Sequence, residues 1–387
     1  MARGGFMERM GGVRGLAAQG ALVLGLVLLA VWLNHNAGSN IAARGITTGY
    51  DFMGREAGFN IDQHLVDYEP TDTYTRVFLV GALNTILVAV MGIVTSTVIG
   101  LTAGVMRVSK NYLGRLLATT YVEIARNTPL PVQILVWYNL ALLAPPPRTA
   151  WGADGLFFLT NRGVYLPQFN LNGLADFAIW GGIAAIVAGL FLSSHFRKQR
   201  TEHGTGASPN WGWAVAIGGF VLAYLLTGNP TGIDVPHKSG FGFTGGFSMS
   251  PALMALWAAL SFYTGSFIAE IVRGGLQAVA KGQGEAARAV GLNDAQALRL
   301  VILPQAMRVI VPPLASQYLN LTKNSSLAVI IGYPDLVAVF AGTSLNQTGQ
   351  AIETLALVML FYLACSLSVS AFMNWYNARS AVWAVSR

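Results

Sequence analysis

Lys281-Gly-Gln-Gly-Glu285-Ala286-Ala287-Arg-Ala-Val-Gly291, followed after nine residues by Val301-Ile-Leu303-Pro304, is a polar segment set between two long apolar stretches. Glu285, Ala286 and Ala287 favour helix, Gly291 admits the φ > 0 turn that ends one, and Asn293 or Asp294 offers a cap for a second helix starting at Ala295. Gly284 to Val290 then makes a rod of about 10 Å at about 1.5 Å per residue. A short rod held crosswise between two membrane spans is suited to transmitting motion.

The order Glu-Ala-Ala, three residues, Gly, nine residues, an aliphatic, one residue, Leu-Pro resembles the coupling loop of bacterial ABC importer permeases in every spacing; Val301 stands where that family usually has isoleucine. Tyr263-Thr-Gly-Ser-Phe-Ile-Ala-Glu270-Ile-Val-Arg273-Gly-Gly before the loop and Lys323-Asn324-Ser325-Ser326-Leu327 after it are similar to the polar amino-acid branch. Arg126-Asn127-Thr128-Pro129-Leu130-Pro131-Val-Gln133 resembles a further signature of that branch, from which Asn127 and Pro131 depart. Gly81-Ala-Leu-Asn84-Thr85 is similar to the start of the family's membrane domain. The longer layout resembles the general L-amino-acid permeases.

Composition points the same way independently. Of 387 residues, 53% are hydrophobic and only 11% are charged, as a membrane protein requires. The formal charge of +7 is spread over loops, so membrane topology explains it and nucleic acid does not. The single Cys365 lies in an apolar run and the five histidines are scattered, which leaves no intrachain disulfide, metal spacing or cofactor site to expect.

A span of about 20 apolar residues crosses about 30 Å of hydrocarbon. Eight such stretches are expected, at Leu16–Leu33, 77–106, 116–144, 174–194, 211–228, 251–274, 308–333 and 351–374. The first follows Arg3, Arg9 and Arg14 and is expected to remain as an anchor helix. With both termini inside, Arg107, Lys110, Arg115, Arg126, Arg197, Lys198, Lys281, Arg288 and Arg299 all fall on the cytoplasmic side, together with the Glu285 loop. The chain is therefore expected to be an all-α, polytopic helical bundle of the bacterial inner membrane. The resemblance implies a five-helix, type I core within it.

Residues 1–76 are expected to form the anchor helix and a periplasmic loop, 77–376 the permease domain with a 145–250 insertion carrying two extra helices, and 377–387 a cytoplasmic tail. Phe59, Ile61, Leu65 and Val66 give residues 58–68 the pattern of an amphipathic surface helix, with a solvated loop as the alternative. Gly81, Gly92, Gly100 and Gly104 recur on one helix, where small residues let backbones approach. Pro304, Pro312 and Pro313 are expected to break the helix ladder within the seventh span.

A lysine at membrane depth costs about 3 kcal/mol on insertion scales and should face a wet cavity or a partner. Lys323, Asn324 and Ser325 are therefore candidate pathway residues, the lysine suiting a substrate carboxylate; the alternative is that Lys323 satisfies carbonyls of a broken helix. Gln133 is a second candidate. Glu270 is a third, although its spacing from Arg273 also fits a structural pair, and Arg126 is expected to pair with Glu123 or reach the surface.

No phosphate loop and no catalytic cluster occurs, so the chain is not expected to be an enzyme. By resemblance, Gly284, Glu285, Ala286, Ala287, Gly291, Leu303 and Pro304 form the ATPase-coupling site. The implied partners are a cytoplasmic ABC ATPase dimer, a second permease subunit that is a paralogue or a second copy, a periplasmic amino-acid-binding protein and membrane lipid. A self-contained secondary amino-acid transporter is the alternative, and would carry an ion site or an evident internal repeat.

Overall fold

Backbone groups in hydrocarbon must be hydrogen-bonded internally, which makes long apolar stretches helical. A computed structural model of the protein describes residues 12–43, 48–171, isolated positions between 188 and 208, 210–226, 231–240 and 242–382. Helix α1, Gly12–Ala43, contains the expected anchor and extends it. Leu22, Leu26 and Leu29 are exposed on it, as lipid contact would require. Helix α2, Tyr74–Val108, covers the second expected span in 35 residues.

The third expected span, 116–144, is not continuous. Helix α3, Tyr112–Asn127, ends at Thr128, whose extended backbone (ψ 126°) is what a residue before proline prefers. A second helix, α4 at Leu130–Leu142, follows with Pro131 in its first turn, where the missing N–H does no harm. At 13 residues, α4 rises only about 20 Å, less than the hydrocarbon thickness. Helix α3 is amphipathic, burying Ala118, Val122 and Ala125 while Leu113, Leu117 and Ile124 stay exposed.

The 145–250 insertion holds β structure that its short, weakly alternating runs did not announce. Strands β1 (Trp151–Ala153), β2 (Phe157–Thr160) and β3 (Gly163–Leu166) are described with β4 (Gln168–Leu171), helix α5 (Asn210–Leu226), β5 (Thr231–Asp234), β6 (His237–Ser239), β7 (Gly242–Thr244) and β8 (Phe247–Met249). They form an antiparallel sheet in the order β1-β2-β3-β8 and two separate pairs, β4-β5 and β6-β7. Helix α5 matches the fifth expected span; the expected 174–194 span lies outside the described residues.

Helix α6, Pro251–Gln277, begins where the Ser250 hydroxyl accepts from Leu253 N. Helices α7 (Lys281–Ala289) and α8 (Asp294–Ala297), a π-helical turn over Leu298–Ile302 and helix α9 (Leu303–Asn324) follow. Pro312 and Pro313 remove two bonds of the helix ladder, as expected, without ending the helix. Pro304 sits in the first turn of α9, and the helix continues through Pro312 and Pro313 to Asn324, because unfolding a span in an apolar medium would expose more backbone than two prolines do. Tight 3-10 turns over Ser325–Ile331 end it. After a π-helical turn, Val337–Ser344, and the short α10, Leu345–Thr348, helix α11 runs from Ala351 to Val382, past the 374 boundary expected for the last span.

The chain separates into two compact units: residues 1–87, 318–329 and 334–387, and residues 88–317 with 330–333. In the first, the segment after α1 is neither a solvated loop nor an amphipathic helix. Residues 58–68 are irregular, yet Phe52, Ile61 and Tyr68 are buried in a core with Tyr74, Val77, Leu336 and Phe340. The Phe52 ring lies 5.8 Å from Tyr74 and 6.1 Å from Phe340. Polar ties fix the segment: Gly49 N donates to Glu353 Oε1 at 2.6 Å, and Asn84 Nδ2 donates to the carbonyls of Gln63 at 2.7 Å and Pro334 at 2.8 Å. Long-range hydrogen bonds of this kind leave no trace in a local pattern.

Asp335 is fully buried in this unit, its Oδ1 accepting from Ala338 N at 2.8 Å and its Oδ2 from the Tyr362 hydroxyl at 3.3 Å. Burial pushes its carboxyl up from 3.8 to about 7. The folded chain keeps a proton that the unfolded chain has lost, so this contribution is fully present below about pH 4 and disappears as pH rises through about 7. Asp335→Asn should therefore keep the fold and flatten the pH dependence of thermal unfolding in detergent. Asp335→Ala should lower the midpoint, since each stranded partner costs roughly 1–3 kcal/mol.

Candidate coupling loop and pathway residues

The loop at 281–303 is closed by backbone geometry. Helix α7 starts at Lys281, three residues before the expected Gly284. It ends in a paired cap: Leu292 N donates to Ala287 O at 3.1 Å and Gly291 N to Arg288 O at 2.9 Å, with Gly291 at φ 86°. Asn293 then caps α8, its Oδ1 accepting from Gln296 N at 2.9 Å while Gln296 Oε1 accepts from Asn293 N at 3.0 Å. Gly284 and Ala287 are buried; Glu285, Ala286 and Val290 are exposed. Asp294 bridges Arg288 at 3.1 Å and Lys110 at 3.3 Å, tying the loop to the residues just beyond α2. Leu303 and Pro304 open α9.

Glu270 is not in a simple pair with Arg273. Its carboxylate also meets Arg107 and lies 3.9 Å from Arg126. Arg273 Nε donates to Glu270 Oε1 at 3.0 Å, and the same guanidinium reaches Gln277 Oε1 at 2.8 Å. The Arg126 guanidinium stands 5.2 Å over the Phe267 ring, so the expected partnership with Glu123 is not formed; Glu123 instead accepts from Asn127 at 3.3 Å. Three arginines on α2, α3 and α6 thus converge on one carboxylate.

Arg107 was not singled out from the sequence, although the glycine repeat carried the signal. A Cβ at Gly100 would lie 2.4 Å from Ile268, and one at Gly104 2.6 Å from Val272. Helices α2 and α6 therefore touch backbone to side chain, and three residues beyond Gly104 the same face of α2 presents Arg107 to Glu270. Trp257 Nε1 donating to Thr95 Oγ1 at 3.1 Å holds the two helices together nearer the other end.

Gln133 is buried, and its Nε2 donates to the carbonyls of Ala125 at 2.8 Å and Thr128 at 3.0 Å. Its Nε2 closes the joint between α3 and α4, while its Oε1 is buried and accepts no hydrogen bond among the described residues. In the other unit, Ser325 Oγ donates to Thr322 O and Ser326 Oγ to Lys323 O, both at 2.7 Å, closing the turns that end α9. Lys323 is exposed and Asn324 half-buried. Among the described residues the Lys323 ammonium makes no hydrogen bond or ion pair, so it does not cage broken-helix carbonyls.

Five helices long and apolar enough to cross a membrane among the described residues, with a capped loop joining two of them, define a multi-pass membrane protein. The family model for the binding-protein-dependent transport system inner membrane component matches residues 216–382. The chain is 49% identical to YhdX of Escherichia coli (strain K12), over 96% of this chain and 95% of that one. It is 45% identical to the general L-amino acid transport system permease protein AapQ of Rhizobium johnstonii, covering 92% and 90%. Identity is 39% to the glutamate/glutamine/aspartate/asparagine transport system permease protein BztB of Rhodobacter capsulatus, covering 92% and 91%. The chain belongs to the family of binding-protein-dependent transport system inner membrane components, the permease subunits of ABC transporters. It is thus a multi-pass membrane transport component and not an enzyme, and its family works with a second permease subunit, a separate ATPase and a binding protein.

The α2–α6 contact leaves no room for a side chain. Gly104→Leu should destabilise the protein by roughly 1–3 kcal/mol through overpacking, read as a lower unfolding midpoint in detergent. Gly284→Ala, whose added carbon would sit an ordinary 3.7 Å from Ile302, should leave the midpoint unchanged.

Proposed function

We infer that this chain forms half of the translocation pathway of an ATP-driven importer for polar, general L-amino acids. The supporting observation is the 281–303 loop: a short helix stopped by a glycine cap, followed at once by a capping box, with Glu285 and Val290 turned outward and Gly284 and Ala287 inward. Such a loop transmits a push instead of absorbing it. Residues 77–376 constitute the permease domain, interrupted by the 145–250 insertion, and residues 1–76 and 377–387 flank it. The excess of Lys and Arg supports a cytoplasmic position for both termini and the loop, where an ATPase dimer meets Glu285. The names of AapQ and BztB support amino acids as the cargo.

A periplasmic amino-acid-binding protein delivers substrate. Closure of the ATPase pair on ATP then moves α7, and hydrolysis resets the spans. Lys323 and Asn324 face the pathway, the ammonium meeting the substrate carboxylate. Glu270 belongs to the arginine cluster that holds the ends of α2, α3 and α6 beside the loop, and Gln133 to the α3–α4 joint.

Two substitutions test the coupling. Gly291→Val strains the positive-φ turn by roughly 1–2 kcal/mol, and Glu285→Lys reverses the outward charge. Each variant should insert normally yet lose ATPase activity stimulated by the binding protein, with Glu285→Lys also releasing ATPase from membranes. Wild-type stimulation and uptake by both in reconstituted vesicles would return the chain to the secondary-transporter alternative.

Lys323→Met keeps side-chain length and removes charge. Uptake should fall several-fold while expression and ATPase retention persist. Full uptake across several amino acids would remove Lys323 from the pathway.

A further inference from the structure

A cavity of about 620 Å³ lies behind α7, between it, the last turns of α2 and α6, and α8. Its walls are of two kinds. Val105, Val108, Leu276, Val279 and Ile302 make an apolar side, and Lys110, Lys281 and Arg288 stand with Glu285 and Asp294 on a polar one. Asp294 is already engaged by Lys110 and Arg288. Three cations against two carboxylates leave one positive charge, the complement of a single phosphodiester.

The apolar side continues along one face of α2. Val90, Val94 and Val98, spaced by four, are 55%, 59% and 60% exposed, and Val105 falls on the same face seven residues on. From Val90 to Val105 this stripe is about 22 Å long, enough to lie along one leaflet of a bilayer about 30 Å thick. It runs into the cavity and ends at Ser109 and Lys110, where apolar surface gives way to charge. A long apolar track leading to a net single positive charge is the negative image of an anionic lipid.

We propose that the cavity binds an anionic phospholipid, its phosphodiester among Lys110, Lys281 and Arg288 and an acyl chain along the valine face of α2. Two of the three cations belong to α7 itself, so the lipid braces this helix from behind while Ala286 and Val290, which lie outside the cavity lining, stay free. The site goes beyond the transport reading and depends neither on the direction of transport nor on which leaflet the loop faces.

The test uses the permease in mild detergent with whatever subunits copurify, offered phosphatidylglycerol or phosphatidylcholine of identical chains, with retained lipid counted by native mass spectrometry. Wild type should retain phosphatidylglycerol about thirtyfold better, the preference that two lysine contacts to an anionic headgroup imply. Lys110→Gln with Lys281→Gln should abolish that preference. Val279→Trp, which fills the cavity without altering charge, should lower retention of phosphatidylglycerol; it decides the matter alone if the double variant does not fold. Soluble glycerol phosphate, the headgroup without chains, should not displace the lipid. Equal retention of both lipids by wild type, an unchanged preference in the double variant or unchanged retention with Val279→Trp would overturn the proposal. So would displacement by glycerol phosphate, or complete cross-linking of Val108→Cys to a copurifying subunit, which would give the cavity to a protein partner. None of these readouts uses transport or ATP hydrolysis, so they fail or succeed separately from the coupling experiments.

Discussion

The contact of Gly100 and Gly104 with Ile268 and Val272 is the constraint on which the coupling end of the protein depends. In lipid there is no hydrophobic force to press two helices together, and the gain must come from close packing of backbone against side chain. Once α2 and α6 are that close, their charged ends cannot avoid one another. Arg107, Arg126 and Arg273 share Glu270, with Gln277 also accepting from Arg273 and the Phe267 ring lying under Arg126, and two positive charges are left over. The loop then leaves α6 from a fixed position.

From this anchorage the loop inherits its stiffness. Its helices are too short to be stable alone, at nine and four residues. They persist because the joint between them is closed: Gly291 accepts the left-handed turn, Asn293 and Gln296 reciprocate, and Asp294 reaches both Arg288 and Lys110. The lipid cavity behind α7 is the space that such propping leaves.

Much of this was legible in the residues because it is local. The cap at Gly291, a cap at Asn293 or Asp294, the position of α2 and the glycine stripe all follow from spacing and side-chain chemistry. What stayed hidden is set by partners distant in sequence. The burial of Phe52 and Ile61 depends on Phe340 and its neighbours, and the backbone partners of the Gln133 donor, the carbonyls of Ala125 and Thr128, are open to it only where α3 ends. Residues 116–144 misled for the same reason: hydropathy averages across a break that a single proline makes. The strands of the insertion are three or four residues long, too short for alternation to register.

The unbroken passage of α9 through Pro312 and Pro313 has a mechanical consequence. Neither proline has an N–H, so the carbonyls of Arg308 and Val309 lack their usual helical donors, two in succession within one turn. A bend at that turn has two fewer backbone hydrogen bonds to strain than a bend elsewhere in the helix. The shaft that begins at Leu303 and ends at Asn324 therefore has one soft point near its middle, and a displacement entering at the first end leaves the second as a change of angle. Compliance is concentrated in a single turn, and the segments on either side can remain straight.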